Sequence, residues 1–144
     1  MKIGKKLGLG IASSMMLIGL AATNTFAATG NTTDKNYYGE FDRSVLLPPE
    51  MDLDVVDWKY NDSSVYQKNE FIGNDYKMKL NVFSTYGNDS GGNYVWVSSG
   101  EHKNVPSVAY EKHGACEVSL HAELSTASLV HVATKGVWSP DSRK

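Results

Sequence analysis

The chain has 144 residues, of which 41% are hydrophobic and 21% charged, and its formal net charge at pH 7 is −2. This length and composition predict a single globular domain and argue against a disordered or fibrous protein. Because acidic residues outnumber basic ones by 16 to 14, the sequence also argues against nucleic acid as a partner, since a phosphate backbone attracts a basic surface.

The first segment, residues 1–27, predicts a cleaved signal peptide. Residues 1–6 contain three lysines, and residues 7–22 form an apolar run that is shorter than the roughly twenty residues a membrane-spanning helix needs. Thr25 and Ala27 supply the small side chains that a signal peptidase reads, which places cleavage after Ala27. We therefore expect a secreted, extracellular protein with no retained membrane span.

The chain contains one cysteine, Cys116, so an intramolecular disulfide is impossible. Small exported domains often depend on disulfides, and this one must instead be stabilised by its core. Cys116 falls on the apolar side of a predicted strand, which favours a buried, inert thiol over a nucleophile.

The mature chain begins with small and polar residues. Residues 28–36 predict a disordered leader, and residues 37–144 the folded domain. Aromatic and β-branched side chains follow in residues 38–47, up to Pro48 and Pro49, which do not fit inside a central strand. The first strand of the domain is therefore expected to end before this pair of prolines.

Two segments alternate between apolar and polar residues with the period of a strand. Residues 50–60 do so with a change of parity near Val55 and Val56, which predicts a β-bulge, and residues 76–83 alternate without interruption. Less regular segments predict an irregular or edge segment at residues 65–72, a central strand at residues 94–97 and a short strand at residues 105–110.

The clearest alternation lies near the C-terminus. From Cys116 to Leu124 every even-numbered residue is apolar, and residues 129–137 resume with β-branched side chains after a short polar interruption. Two antiparallel strands joined as a hairpin are the simplest interpretation. Short strands about ten residues apart, separated by turn signals, predict an all-β fold: a single antiparallel β-sandwich of about six to eight strands.

The predicted hairpin also suggests a metal site. With a loop at residues 125–127, His121 pairs with His131, Glu117 with Lys135 and Leu120 with Val132. Two imidazoles at this separation can share a divalent metal, with Glu123 as a third ligand. The alternative interpretation is two solvated histidines on an open face, and no cofactor is predicted.

Sequence signatures of enzymes are absent. The chain has no G-x-S-x-G, no H-E-x-x-H and no phosphate-binding glycine loop, so we expect a non-enzymatic protein. A hydrolase with paired acids in a cleft would escape this search and is not excluded. Aromatic side chains can form a stacking platform for a ligand, and the candidate binding residues are Trp96, Tyr110 and Trp138.

Several features resemble an uncharacterised family of small secreted β-proteins of Gram-positive bacteria. They are the signal peptide, the alternating strand at residues 76–83, the glycine-rich loop and aromatic strand at residues 91–97, and Gly-x-Trp followed by Ser139-Pro140-Asp141. This resemblance covers about the last seventy residues. Our first functional hypothesis, which this uncharacterised family does not itself supply, is a non-enzymatic extracellular module that binds a protein, cell-wall or envelope component through its loops.

A second resemblance is to the lactococcin-like bacteriocins. It is carried by Gly91, Gly92, Ser107, Tyr110, His113 and residues 135–139. Such a protein would be secreted and would act on the envelope of competing bacteria. The bacteriocin precursors lack the acidic segment at residues 34–75, which is either a pro-like extension or part of the same sandwich.

Overall fold

The computed structural model describes residues 30–142 and has two antiparallel β-sheets with little helix. The all-β, sandwich-like fold is therefore confirmed, and the predicted signal peptide lies outside the described residues. The strands of this part of the chain are β1 Lys35–Phe41, β2 Glu50–Lys59, β3 Val65–Ile72, β4 Met78–Ser84, β5 Gly87–Asn88, β6 Val95–Val97, β7 His102–Val105, β8 Cys116–Leu124 and β9 Val132–Ser139. A 3-10 turn covers Gly73–Asp75, and one short helix, α1, covers Ala109–His113.

The strand order shows how the acidic segment at residues 34–75 is used. One sheet has the order β1-β9-β3-β7, and the other has the order β2-β8-β4-β5, with β6 also paired to β4. Strands β1 and β3 flank β9, while β2 pairs with β8. The acidic segment thus contributes strands to both sheets.

The predicted hairpin between β8 and β9 is wrong. Strand β8 pairs with β2 and β4, whereas β9 pairs with β1 and β3 in the other sheet. Both strands do alternate as predicted, with Leu124 and Val132 buried at their ends. Alternation identifies the side of a strand that faces the core, but it does not identify the neighbouring strand.

Other strand predictions differ in detail. Strand β1 begins at Lys35, so the folded region starts earlier than the predicted leader boundary at residue 37. The predicted central strand at residues 94–97 is wrong: β6 has three residues and pairs with β4 alone. The predicted strand at residues 105–110 is also wrong, because β7 ends at Val105 and α1 follows. The β2 bulge is confirmed by a register shift between Asp52 and Val56.

The core has an aliphatic side and a partly polar side. The five-stranded sheet contributes buried aliphatic side chains, among them Leu80, Val82 and Leu120. The four-stranded sheet buries a hydrogen-bonded group of Tyr37, Gln67, Asn69 and Thr134. In this group Asn69 Nδ2 donates to Tyr37 Oη at 3.0 Å and to Thr134 Oγ1 at 2.9 Å. Shared hydrogen bonds reduce the cost of burying these polar atoms.

A buried ion pair joins β2 to the C-terminal segment. Lys59 Nζ donates to Asp141 Oδ1 at 2.9 Å, and neither side chain is exposed to solvent. The ammonium also donates to the carbonyl oxygens of Ser63 and Pro140. Burial lowers the pKa of Lys59, although the Asp141 carboxylate acts to raise it. We call this group the Lys59–Asp141 clamp, because Asp141 Oδ2 also accepts hydrogen bonds from two backbone amides.

No helix in the described part of the chain is long and apolar enough to cross a membrane.

Candidate functional site

The structure places the first predicted metal ligand, His121, on the outer side of β8. Its Nδ1 lies 2.8 Å from Asp52 Oδ1, and its Nε2 lies 3.3 Å from Glu50 Oε2. Its ring also packs on Phe83, with centroids 4.8 Å apart. The partners of His121 are thus carboxylates of β2 and not the second predicted histidine.

The second predicted metal ligand, His131, lies immediately before β9. Its Nδ1 is 3.5 Å from carboxylate oxygens of both Glu40 and Asp42. Because β8 and β9 belong to different sheets, the register that would pair His131 with His121 does not exist. Within residues 30–142, no group of three or more histidine, cysteine, aspartate or glutamate side chains could hold a metal ion.

The three predicted aromatic binding residues have different surroundings. Trp96 in β6 is 37% exposed and meets the Tyr94 ring edge-on, with centroids 6.1 Å apart. Tyr110 lies in α1 and is half-buried. Trp138 in β9 is fully buried, so it belongs to the core and does not fit the predicted binding role.

Within residues 30–142, the largest group of exposed aliphatic side chains lies on two loops at one end of the sandwich. Val45, Leu46 and Leu47 come from the β1–β2 loop and are 73%, 89% and 71% exposed. Leu129 and Val130 come from the β8–β9 loop and are 72% and 52% exposed. We call these five residues the loop tip. An exposed apolar cluster of this kind is typical of an interaction site.

Hydrogen bonds hold the two loops of the tip together. Ser44 and Ser128 form an antiparallel bridge in which Ser44 N donates to Ser128 O at 2.7 Å. Within each loop, a serine hydroxyl accepts a hydrogen bond from the amide of a tip residue, Leu47 in the first loop and Val130 in the second. The prolines after Leu47 further restrict the first loop. The tip is thus exposed but structurally constrained.

Four acidic side chains and the exposed Arg43 lie at the strand ends beside the tip. Glu40 and Asp42 at the end of β1 have side chains that are 52% and 91% exposed. Glu50 and Asp52 at the start of β2 are 67% and 73% exposed. These carboxylates give the rim of the tip a negative charge that favours a partner with basic groups around an apolar centre.

A polar cleft of about 450 Å³ lies at the opposite end of the four-stranded sheet. It is lined by Tyr66 of β3, His102 and Asn104 of β7 and Asp34 before β1. Three hydroxyl-bearing residues complete the lining: Thr32, Ser139 and Ser142. The cleft and the tip are at opposite ends because Asp34 precedes the start of β1, whereas the tip follows its end.

The Lys59–Asp141 clamp fixes two walls of this cleft. Asn31 N donates to Asp141 Oδ2 at 2.6 Å, and Asp141 N donates to Asn31 O at 3.1 Å. Ser142 N donates to Ser64 O at 2.9 Å and to Ser63 Oγ at 3.0 Å. The N-terminal and C-terminal segments that carry lining residues are therefore tied to the β2–β3 turn.

A third cluster centres on Asp89, which is buried. Burial alone would raise its pKa, but hydrogen bonds from Ser84 and Lys112 and the charge of His113 lower the pKa below 3.8. The Asp89 oxygens lie 3.1 Å from Lys112 Nζ and 3.0 Å from His113 Nε2. The His113 ring stacks on Tyr86, with centroids 4.1 Å apart. This cluster attaches α1 to the β4–β5 hairpin.

Cys116 is buried, as its position on the alternating strand predicted. Burial raises the pKa of its thiol, and the negative charge of Asp89 raises it further. A thiol that keeps its proton is a poor nucleophile. This environment is that of a structural cysteine.

The sequence alone did not identify the loop tip or the polar cleft. Three consecutive aliphatic residues, Val45 to Leu47, cannot all face one side of a strand, and this was a usable signal for an exposed apolar loop. The cleft gives no such signal, because its lining comes from four segments that are distant in sequence. Only the strand order brings those segments together.

No protein-family model, curated protein or solved structure matches the chain.

Proposed function

We propose that the protein is a secreted, non-enzymatic binding module that attaches to an extracellular protein or envelope component through the loop tip. The observation that carries this proposal is the concentration of five exposed aliphatic side chains on two adjoining loops. A partner that covers such a cluster removes its apolar side chains from water, which favours association.

The size of the tip sets the strength of attachment that it supports. Complete burial of a leucine or valine side chain contributes about 1.5–3 kcal/mol. Five side chains that are 52–89% exposed therefore contribute on the order of 5–10 kcal/mol when a partner covers them. Association itself costs roughly 4 kcal/mol or more, so the tip supports weak to moderate binding, to which the acidic rim adds specificity.

Substitution of the tip tests the proposal. We expect the Leu46→Ser/Leu129→Ser variant to lose most of its binding to intact Gram-positive cells or isolated envelope, measured by sedimentation. Thermal unfolding should be unchanged, because both side chains are exposed. Val56→Ser/Phe71→Ser is the matched control, since these residues are 58% and 45% exposed on the sheets away from the tip. Equal binding by both variants would exclude the tip as the attachment surface.

Secretion has its own test. We expect the protein to accumulate in the culture medium with an N-terminus at Ala28, because cleavage is proposed after Ala27. N-terminal sequencing of the secreted protein measures this directly. Recovery of the uncleaved chain from the cell pellet alone would contradict secretion.

A second candidate function is that of a bacteriocin acting on the envelope of competing bacteria. One observation favours it: His113, which carries part of the bacteriocin resemblance, contacts the buried Asp89. His113 lies 3.0 Å from its carboxylate, and Val108 N, beside Ser107, donates to Asp89 O at 2.7 Å. An added Cβ on Gly91 would lie 3.0 Å from Val108. Growth inhibition of related bacteria by the purified protein, lost in a folded His113→Ala variant, would favour this function over simple attachment.

A further inference from the structure

The polar cleft has the size of a small-molecule site and an unusual lining. Its volume of about 450 Å³ falls within the range of about 300–1,000 Å³ that is common for ligand sites. The lining offers three hydroxyl-bearing side chains, one amide, one imidazole, one carboxylate and one phenol ring. Such groups both donate and accept hydrogen bonds, so they match a ligand that is rich in hydroxyl groups.

One side of the cleft provides a stacking surface. Tyr66 is half-buried in β3 and lies directly across from Asn104 of β7. The His102 ring is 6.4 Å from the Tyr66 ring at an angle of 37°. An aromatic face packs against the C–H groups of a pyranose ring, while the neighbouring amide binds hydroxyl groups.

The charge of the lining restricts the ligand further. Asp34 supplies a carboxylate, and among the described residues 30–142 neither lysine nor arginine lines the cleft. A phosphorylated sugar or a uronic acid would bring a negative charge towards this carboxylate. A neutral sugar avoids this repulsion, and an amino sugar gains an ion pair.

The walls of the cleft are held in place before a ligand arrives. The Lys59–Asp141 clamp ties the segment carrying Thr32 and Asp34 to the segment carrying Ser139 and Ser142. A ligand therefore does not have to order these segments at the expense of binding free energy.

We propose that the polar cleft binds a short oligosaccharide made of neutral or amino sugars. Tyr66 provides the stacking surface, and Asp34 favours an amino sugar. Asn104 and the hydroxyl groups of Thr32 and Ser142 bind the sugar hydroxyls. This site goes beyond the proposed attachment function, because the cleft and the loop tip are at opposite ends of the sandwich and have different chemistry.

The test is an NMR titration of the secreted protein with three tetrasaccharides: glucosamine tetramer, N-acetylglucosamine tetramer and galacturonic acid tetramer. We expect the first two to shift amide signals of residues 32–34, 66, 102–104 and 139–142, with the glucosamine tetramer binding several-fold tighter. The galacturonic acid tetramer should leave these signals unchanged. Failure of both the neutral and the amino tetramer to shift these signals at 10 mM, or tighter binding of the acidic tetramer, would overturn the proposal.

Variants identify the residues responsible. Tyr66→Ala should weaken binding at least tenfold, whereas Tyr38→Ala should have no effect, because Tyr38 is 63% exposed on β1 of the same sheet but outside the cleft. Asp34→Asn should remove the preference for the glucosamine tetramer. If Tyr66→Ala fails to fold, Asn104→Ala replaces it, since Asn104 is exposed and should weaken binding without unfolding the protein. Unchanged affinity for the tetrasaccharides in a folded Tyr66→Ala or Asn104→Ala variant would overturn the assignment of the sugar site to this cleft.

Discussion

Replacement of Asp141 by asparagine removes the carboxylate that lies 2.9 Å from the buried ammonium of Lys59. Both side chains are 0% exposed, so water cannot replace the lost charge. Removal of one partner from a buried ion pair costs about 3–5 kcal/mol, and a domain of this size is stable by about 5–15 kcal/mol. We therefore expect Asp141→Asn to remove about a fifth or more of the stability and to lower the Tm by about 10–20 °C.

Urea unfolding followed by tryptophan fluorescence measures this loss, because Trp138 is fully buried in β9. The matched control is Lys103→Met, which removes the ion pair between Lys103 and Glu101. That pair is 3.9 Å long and its side chains are 43% and 46% exposed, so the control should change stability by less than about 0.5 kcal/mol. Equal unfolding midpoints for Asp141→Asn and Lys103→Met would refute the structural role of the clamp.

Three further predictions concern other buried groups. Burial raises the pKa of Tyr37 from 10.0 to about 12. The free energy of unfolding should therefore fall by about 3 kcal/mol as the pH rises between these values, and Tyr37→Phe should remove this fall. The pKa of Asp89 in the native protein is lowered below 3.8. The stability that its carboxylate contributes is therefore complete above pH 3.8 and is lost as the pH falls through the native pKa. Asp89→Asn should make the free energy of unfolding less dependent on pH in this acid range. Gly136→Ala should destabilise the protein by about 3 kcal/mol or more, because its Cβ would collide with Lys68 O and lie 2.6 Å from Tyr37 Oη.

Each of these predictions has a direct measurement. Urea unfolding at a series of pH values tests the titrations of Tyr37 and Asp89. If the free energy of unfolding depends on pH in Tyr37→Phe or Asp89→Asn as it does in the original protein, the corresponding pKa shift is contradicted. For Gly136→Ala the control is Gly73→Ala, whose Cβ would lie an ordinary 3.6 Å from Ala133. Equal stability of the two glycine variants would contradict the close packing described at β9.

The fold class was predictable because the apolar and polar residues alternate so clearly. Residues 116–124 and 76–83 alternate with period two, and the even-numbered residues of 116–124 in β8 and of 78–82 in β4 are buried. The β2 bulge was also visible, since the change of parity near Val56 required an irregularity. These features depend on local backbone geometry, which the sequence specifies directly.

Strand pairing was less predictable, for a physical reason. Seven residues, 125–131, separate β8 from β9, and this length allows either a hairpin or a crossing to the other sheet. In the structure the two strands belong to different sheets, and the buried side chains of both contribute to one hydrophobic core. The proposed meeting of His121 and His131 depended on the hairpin, so it was lost when the pairing changed.

Buried polar residues were also hidden from sequence reasoning. Lys59 and Asp141 are 82 positions apart, and each alone looks like an ordinary solvated charge. Burial of either becomes favourable only when the other is beside it. The same dependence on distant partners explains why the polar cleft was not predicted, whereas the tip residues at least form a continuous aliphatic run at Val45–Leu47.

The arrangement of strands around β8 and β9 positions both the loop tip and the cleft, and NMR measurement of cross-strand nuclear Overhauser effects tests it most directly. We predict contacts between β9 and β1, including Gly39 with Thr134, and between Ser44 and Ser128 at the tip. Contacts that join β8 directly to β9 in a hairpin, such as Leu120 with Val132 as adjacent strand neighbours, would contradict the two-sheet arrangement and the sites built on it.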